Sequence, residues 1–273
     1  MIKQCKTVLG FVALAAFVLT LSASSRAWGH FLWIETPPVV QTGKKASIKI
    51  YFGEYHEGLR EVRGGRLDER RGTELSVINP SGKVSGPFSS LQTNKNSFVA
   101  KFSAKTPGFY DLVATDAQSP VVDYSKYDIG VVRPIFYTRA RLLSFQEGTL
   151  SERAQIPRPV LDLDIIPLTR HLDIRTGAFG PAASQEVVFR VFFKGKPFAD
   201  RAEINIYAPN GWLWEGRVDI DGIGRFTPIW PGLYVIDVVY KEKVPGKFAG
   251  KVYEAVRHRA TLSLVVRTAG EPE

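Results

Sequence analysis

The sequence predicts an all-β protein of two similar units behind a cleaved leader, and three observations carry that expectation. From His30 onward apolar residues recur with a period of two, as where Ile48, Ile50 and Phe52 alternate with Ser47, Lys49 and Tyr51. That is the pattern of a half-buried strand. The 273 residues hold 24 Gly and 17 Pro, a density of chain breakers that disfavours long helices. The order of segments also repeats. ELSVINPSG at 74–82 is echoed by EINIYAPNG at 203–211, and TPGFYDLVATD at 106–116 by WPGLYVIDVVY at 230–240. Two units of this size with the same element order imply two tandem immunoglobulin-like β-sandwich domains. With 44% hydrophobic residues the chain has material for such cores, which excludes disorder of its bulk.

The leader comes first. Residues 1–6 bring Lys3 and Lys6, residues 7–21 form the apolar run TVLGFVALAAFVLTL, and small residues lead to Ala27-Trp28-Gly29. Basic, apolar, small is the order of a secretory signal peptide, here 1–29. The run is short of the roughly 20 apolar residues that span a bilayer, so the mature chain is expected to have no membrane span. Cleavage after Gly29 makes His30 the first mature residue of a periplasmic or secreted protein. It removes Lys3, Lys6 and Arg26, so the formal charge of +9 falls by three. The single Cys (Cys5) and the single Met (Met1) leave with the leader. An exported chain without thiols must hold itself together by packing.

The first domain is expected over 30–148, with strand-like stretches at 97–104 and 109–115. Its charged segment GLREVRGGRLDERRG at 58–72 reads as a solvated loop. TLSERAQIPRPV at 149–160 is polar and Pro-bearing, and serves as the linker. The second domain is expected over 161–267, with strands at 187–193, 203–208, 233–240 and 260–266, and 268–273 reads as a flexible tail.

Catalytic motifs are scarce. The mature chain has no thiol nucleophile, its glycines form no phosphate-cradling loop, and nothing in it resembles a nucleic-acid-binding motif. Asp162 and Asp164 alternate onto one strand face and read as solvent-facing. Trp212 and Trp214 suit either packing or a sugar-stacking platform. The chain therefore reads as a non-enzyme, and its chemistry concentrates in four histidines: His30, His56, His171 and His258.

A terminal His30 offers its α-amine and ring Nδ1 to one ion, the beginning of a histidine brace. Nitrogen donors suit nickel, copper and zinc, while the absence of Cys and Met disfavours Cu(I). His56 follows a strand in YFGEYHEG, with Glu54 and Glu57 as oxygen donors beside it. His258 shares strand parity with Val256, Ala260 and Leu262, which fits a structural residue or a ligand. His171 reads as a turn or strand-edge residue outside the site.

HFLWIETPP at the processing site, the G-x-Y-H-like turn in GEYHEG, the repeated PG-x-Y strands and YEAVRHRATL near the C-terminus resemble a large group of bacterial periplasmic proteins. That group is of largely unknown function and is often described as the substrate-specific component of nickel or cobalt uptake. The resemblance implies immunoglobulin-like domains, a mature N-terminal His, and His30, His258 and His56 as metal ligands. It points to binding and delivery of a divalent transition metal ion (nickel, cobalt or copper) to a membrane permease or envelope protein. Two other readings compete: an envelope interaction module, and a copper-dependent polysaccharide oxygenase.

Overall fold

In a computed structural model the described residues are 29–88, 91–149, 157–169, 171–172, 177–198, 200 and 202–268. All of the expected leader but Gly29, most of the expected linker and all but the first residue of the expected tail lie outside them. No helix among the described residues is long and apolar enough to cross a membrane.

The first half contributes β1 (Phe31–Glu35), β2 (Val39–Gln41), β3 (Lys45–Glu54), β4 (Leu59–Arg60), β5 (Glu74–Ile78) and β6 (Val84–Phe88). It continues with β7 (Gln92–Thr93), β8 (Phe98–Ser103), β9 (Gly108–Asp116), β10 (Val122–Asp123) and β11 (Val131–Phe145). The second half begins with β12 (Leu163–Pro167), β13 (Val187–Phe193), β14 (Lys196–Pro197), β15 (Glu203–Tyr207) and β16 (Leu213–Arg217). It ends with β17 (Ile223–Phe226), β18 (Gly232–Glu242), β19 (Gly246–Phe248), β20 (Lys251–Tyr253) and β21 (Ala255–Val266). The chain is thus all-β with immunoglobulin-like sandwich packing, as its alternation predicts.

The repeat has a physical cause that can be read in both halves. Gly108 adopts φ +121, and a Cβ there would meet Pro80; Gly232 adopts φ +127, and a Cβ would meet Pro209. Pro80 and Pro209 close the echoed turns NPSG and APNG. Each Pro-Gly is therefore matched to the Pro of its own half, and only glycine fits the approach. The tyrosine two residues on then folds back. The Tyr110 hydroxyl lies 3.1 Å from the Thr106 amide, and the Tyr234 hydroxyl 3.1 Å from the Trp230 amide. Both are tyrosine corners of the immunoglobulin-like kind.

Each half has its own core. One gathers Leu32, Ile48, Ile50, Leu75, Leu112 and Leu142; the other gathers Ile165, Phe189, Val191, Ile204, Ile236 and Leu262. A single sheet nevertheless runs through both, in the order β16-β15-β18-β21-β11-β9-β5-β6. The equivalent last long strands, β11 and β21, pair in parallel from Val132↔Ala255 to Ala140↔Ser263. The covering sheets lie on opposite faces of this central sheet. Phe136 and Ala140 of β11 face the first core, whereas Tyr137 faces the second together with Ala260 and Leu262 of β21. β1 lies over the first of these faces, where the Thr261 hydroxyl donates to the Leu32 carbonyl (2.6 Å) and the Ile34 amide donates to Ser263 Oγ (3.2 Å).

Asp164 departs from its expected exposure. It is fully buried and accepts from Arg139 through both oxygens (2.9 and 2.7 Å), and from the amides of Val160 and Leu161. A carboxylate with four donors is a fastening between β11 and the entry to the second half, not a solvated group. Segment 58–72 is also less solvated than its charge suggests. Its 3₁₀ turn Arg66–Arg70 buries Leu67 and Arg70, with the Arg70 guanidinium over Phe52 and Phe136.

Candidate metal centre

The centre forms where β1 begins and β3 ends. β1 and β3 are antiparallel, with Phe31 opposite Gly53, so the start of one strand lies against the end of the other. Gly53 has φ +154, and a Cβ there would come within 2.2 Å of the Leu59 carbonyl oxygen. The missing side chain lets β4 close on the strand end, and Glu54 follows at once. The chain then turns through the 3₁₀ segment Tyr55–Glu57, so His56 leaves the strand parity that would have set it beside Phe52. It stacks instead on Tyr207 of the second half, ring centres 5.1 Å apart at 20°.

His30 stands between two carboxylates. Its Nε2 lies 2.5 Å from Glu61 Oε1 and its Nδ1 3.2 Å from Glu54 Oε1, with the ring against Phe52 at 5.3 Å. All three side chains are largely buried, at 11%, 16% and 15% exposure. Donor atoms of Glu54, His56 and Glu57 lie within 4.8 Å of one another. Glu54 thus joins the surroundings of His30 to those of His56.

Two arginines border the cluster. Arg66 Nη1 sits 3.3 Å from Nε2 and 3.4 Å from Nδ1 of His30. Arg259 is gripped by Asp237 through two 2.8 Å contacts, donates to the Gly29 carbonyl, and lies over the Phe31 ring. Burial raises the Glu54 carboxyl above its ordinary value, and His30 pulls it back. Burial lowers the His56 imidazole, with Glu57 opposing. Burial thus favours the neutral imidazole, the form of histidine that ligates a cation, while the Glu54 carboxyl would have to release its proton to join it.

His258 does not join this centre, contrary to its expected place as a ligand. It neighbours Arg259 on β21 and therefore points to the other face, into the second core. It is 2% exposed, with Nδ1 3.0 Å from the Tyr137 hydroxyl and Nε2 3.2 Å from Glu242 Oε2. Tyr137, Phe193 and Tyr240 surround its ring. Both nitrogens are occupied, so it is a satisfied core residue. His171 lies apart, beside the isolated Leu172↔Phe179 bridge. Of the tryptophans, Trp214 packs on the second core and Trp212 meets Trp230 edge-on at 5.9 Å.

Fold and centre together define the class: an immunoglobulin-like all-β protein with a histidine–carboxylate cluster at the start of its first strand. Residues 27–242 match the family described as Domain of unknown function (DUF4198), and the chain belongs to that family. No curated protein matches the chain. Among solved structures, trypsin-activated alpha-2-macroglobulin from Escherichia coli is similar at 11% identity and a TM-score of 0.28, over 88% of this chain and 16% of that one. A Salmonella alpha-2-macroglobulin mutant gives 10% and 0.27, over 89% and 15%. A marsupial T cell receptor gives 9% and 0.22, over 85% and 74%. The chain spans only about a sixth of the macroglobulins' length, and likeness this low carries no functional argument.

Proposed function

We propose that this protein binds a divalent transition metal ion, nickel, cobalt or copper, in the periplasm or outside the cell, for uptake or delivery. The observation that carries the reading is the His30 imidazole held between the Glu61 and Glu54 carboxylates, with His56 reached through Glu54. The donors fit such an ion. Imidazole nitrogen with carboxylate oxygen suits borderline divalent metals, and the absence of sulfur disfavours Cu(I). His30 through Nδ1, with Glu54 and His56, would hold the ion, and Glu61 on Nε2 would orient the ring. Processing after Gly29 would add the His30 amine as a further nitrogen. Arg259, fixed by Asp237, would steady the backbone at that terminus.

Isothermal titration of the exported protein with Ni(II), Co(II) and Cu(II) tests this. One ion per chain is expected, with His30→Ala and Glu61→Gln each weakening binding at least tenfold and His258→Ala leaving affinity unchanged. A form extended by Met before His30 should also bind more weakly, because the extension blocks the amine. No saturable binding in the parent protein overturns the reading and leaves the envelope interaction module in its place.

A further inference from the structure

The hairpin β19–β20 belongs to neither sandwich: it is a two-stranded sheet of its own. Its sequence from 243 to 252 is KVPGKFAGKV, with three lysines and no acid. Lys243, Lys247 and Lys251 are exposed, and so are the aliphatic side chains next to two of them, Val244 at 47% and Val252 at 69%. The base is firm. Tyr253 is buried with Val121 and Val256, and the Arg133 guanidinium lies 4.2 Å from the centre of the Phe248 ring. Lys241 Nζ donates to the Ile129 carbonyl (2.5 Å), which brings the loop before β11 alongside, with exposed Lys126 4.6 Å from the centre of the exposed Tyr127 ring. Asp123, Asp128 and Glu254 are exposed acids at this end.

Strand directions show what else this end carries. β11 and β21 both begin here, and Arg259, which holds Gly29, is four residues into β21, about 13 Å along it. Flexible cations beside exposed aliphatic side chains suit a plane of negative headgroups above acyl chains better than the fixed, paired surface of an acidic protein.

We propose that this end of the molecule, led by the hairpin Lys243, Val244, Lys247, Lys251 and Val252, docks on an anionic lipid surface.

Co-sedimentation of the exported protein with vesicles of equal phosphatidylglycerol and phosphatidylcholine, against pure phosphatidylcholine, is the test. Binding is expected to the first only, and to fall at high salt. Each Lys→Gln change in the hairpin should lower partitioning about fivefold, and Lys243→Gln/Lys247→Gln/Lys251→Gln together about a hundredfold. Because parent and variant share the same N-terminus, the difference reports on the hairpin. The exposed lysines of the opposite end provide the control: Lys44→Gln/Lys83→Gln/Lys105→Gln should retain most binding. Failure of the parent to sediment, equal binding by the hairpin variant, or an equal loss in the control would each overturn the proposal. Circular dichroism of all forms keeps misfolding out of the comparison.

Discussion

Arg259→Met tests whether one buried ion pair both stabilises the second half and anchors the start of β1. Arg259 is 2% exposed and Asp237 fully buried, and they share a two-pronged contact at 2.8 Å on each prong. Without the guanidinium, the one side-chain hydrogen bond described for Asp237 is from the Asn205 amide at 3.3 Å. Breaking a buried pair from one side leaves an uncompensated charge and costs about 3–5 kcal/mol, whereas removing both charges costs much less. Urea unfolding of Arg259→Met, Asp237→Asn and the double variant should therefore give a coupling energy of about 2 kcal/mol or more, with the double variant well short of the sum. The midpoint should move while the slope stays constant, since compactness is not at stake. A second readout separates anchoring from stability. Because Arg259 Nη1 also lies 3.5 Å from the His30 carbonyl, which remains after processing at Gly29, Ni(II) affinity of the folded Arg259→Met protein should fall about tenfold. An Arg259→Met cost under about 1 kcal/mol, or additive single effects, would refute the energetic argument. Unchanged metal affinity would refute the anchoring.

Gly53→Ala would drive a Cβ to 2.2 Å from the Leu59 carbonyl oxygen, so it should cost roughly 2–3 kcal/mol in thermal or urea melts and abolish the Ni(II) isotherm by displacing Glu54. Tyr234→Phe should cost about 1 kcal/mol by removing the bond from the Trp230 amide. Tyr110→Phe should cost more, since its hydroxyl meets the amide, hydroxyl and carbonyl of Thr106; equal melting of parent and both variants would remove the tyrosine corners from the account. His56, His171 and His258 are all held below their ordinary value, mainly by burial, so the unfolded chain binds protons before the folded one does. Their contribution is complete above about pH 6.5 and is lost as pH falls toward their folded values, at no more than about 1.4 kcal/mol per pH unit each. Glu54, raised by burial, works in the opposite sense at lower pH. Melts from pH 7.5 to 5 should show stability falling, with a shallower slope in His258→Gln; a flat profile would contradict this.

Much of the fold was legible because its causes are local. Pro80 with Gly108 and Pro209 with Gly232 recur in the same order since each glycine must pass its own proline, and Tyr110 and Tyr234 follow since each must reach back to the preceding turn. Glu54, His56 and Glu57 were legible as candidate donors for a similar reason, being adjacent in one turn. Other contributors depend on contacts that spacing does not encode. Glu61 and Arg66 reach His30 from a loop whose charge suggested solvation, yet buried Leu67 and Arg70 pin it down. His258 and Arg259 lie on opposite faces by parity alone, but which face carries β1 is decided by the parallel pairing of β11 with β21, more than a hundred residues apart in sequence. That pairing also bears on how the halves cooperate. β1 belongs to the first half but bonds to Thr261 and Ser263 of the second, and its first residue follows the ring held by Glu61 and Glu54. A cation at His30 would therefore fasten a strand of the first core that is also bonded to the second half, so binding there and docking of the two sandwiches would share the same contacts.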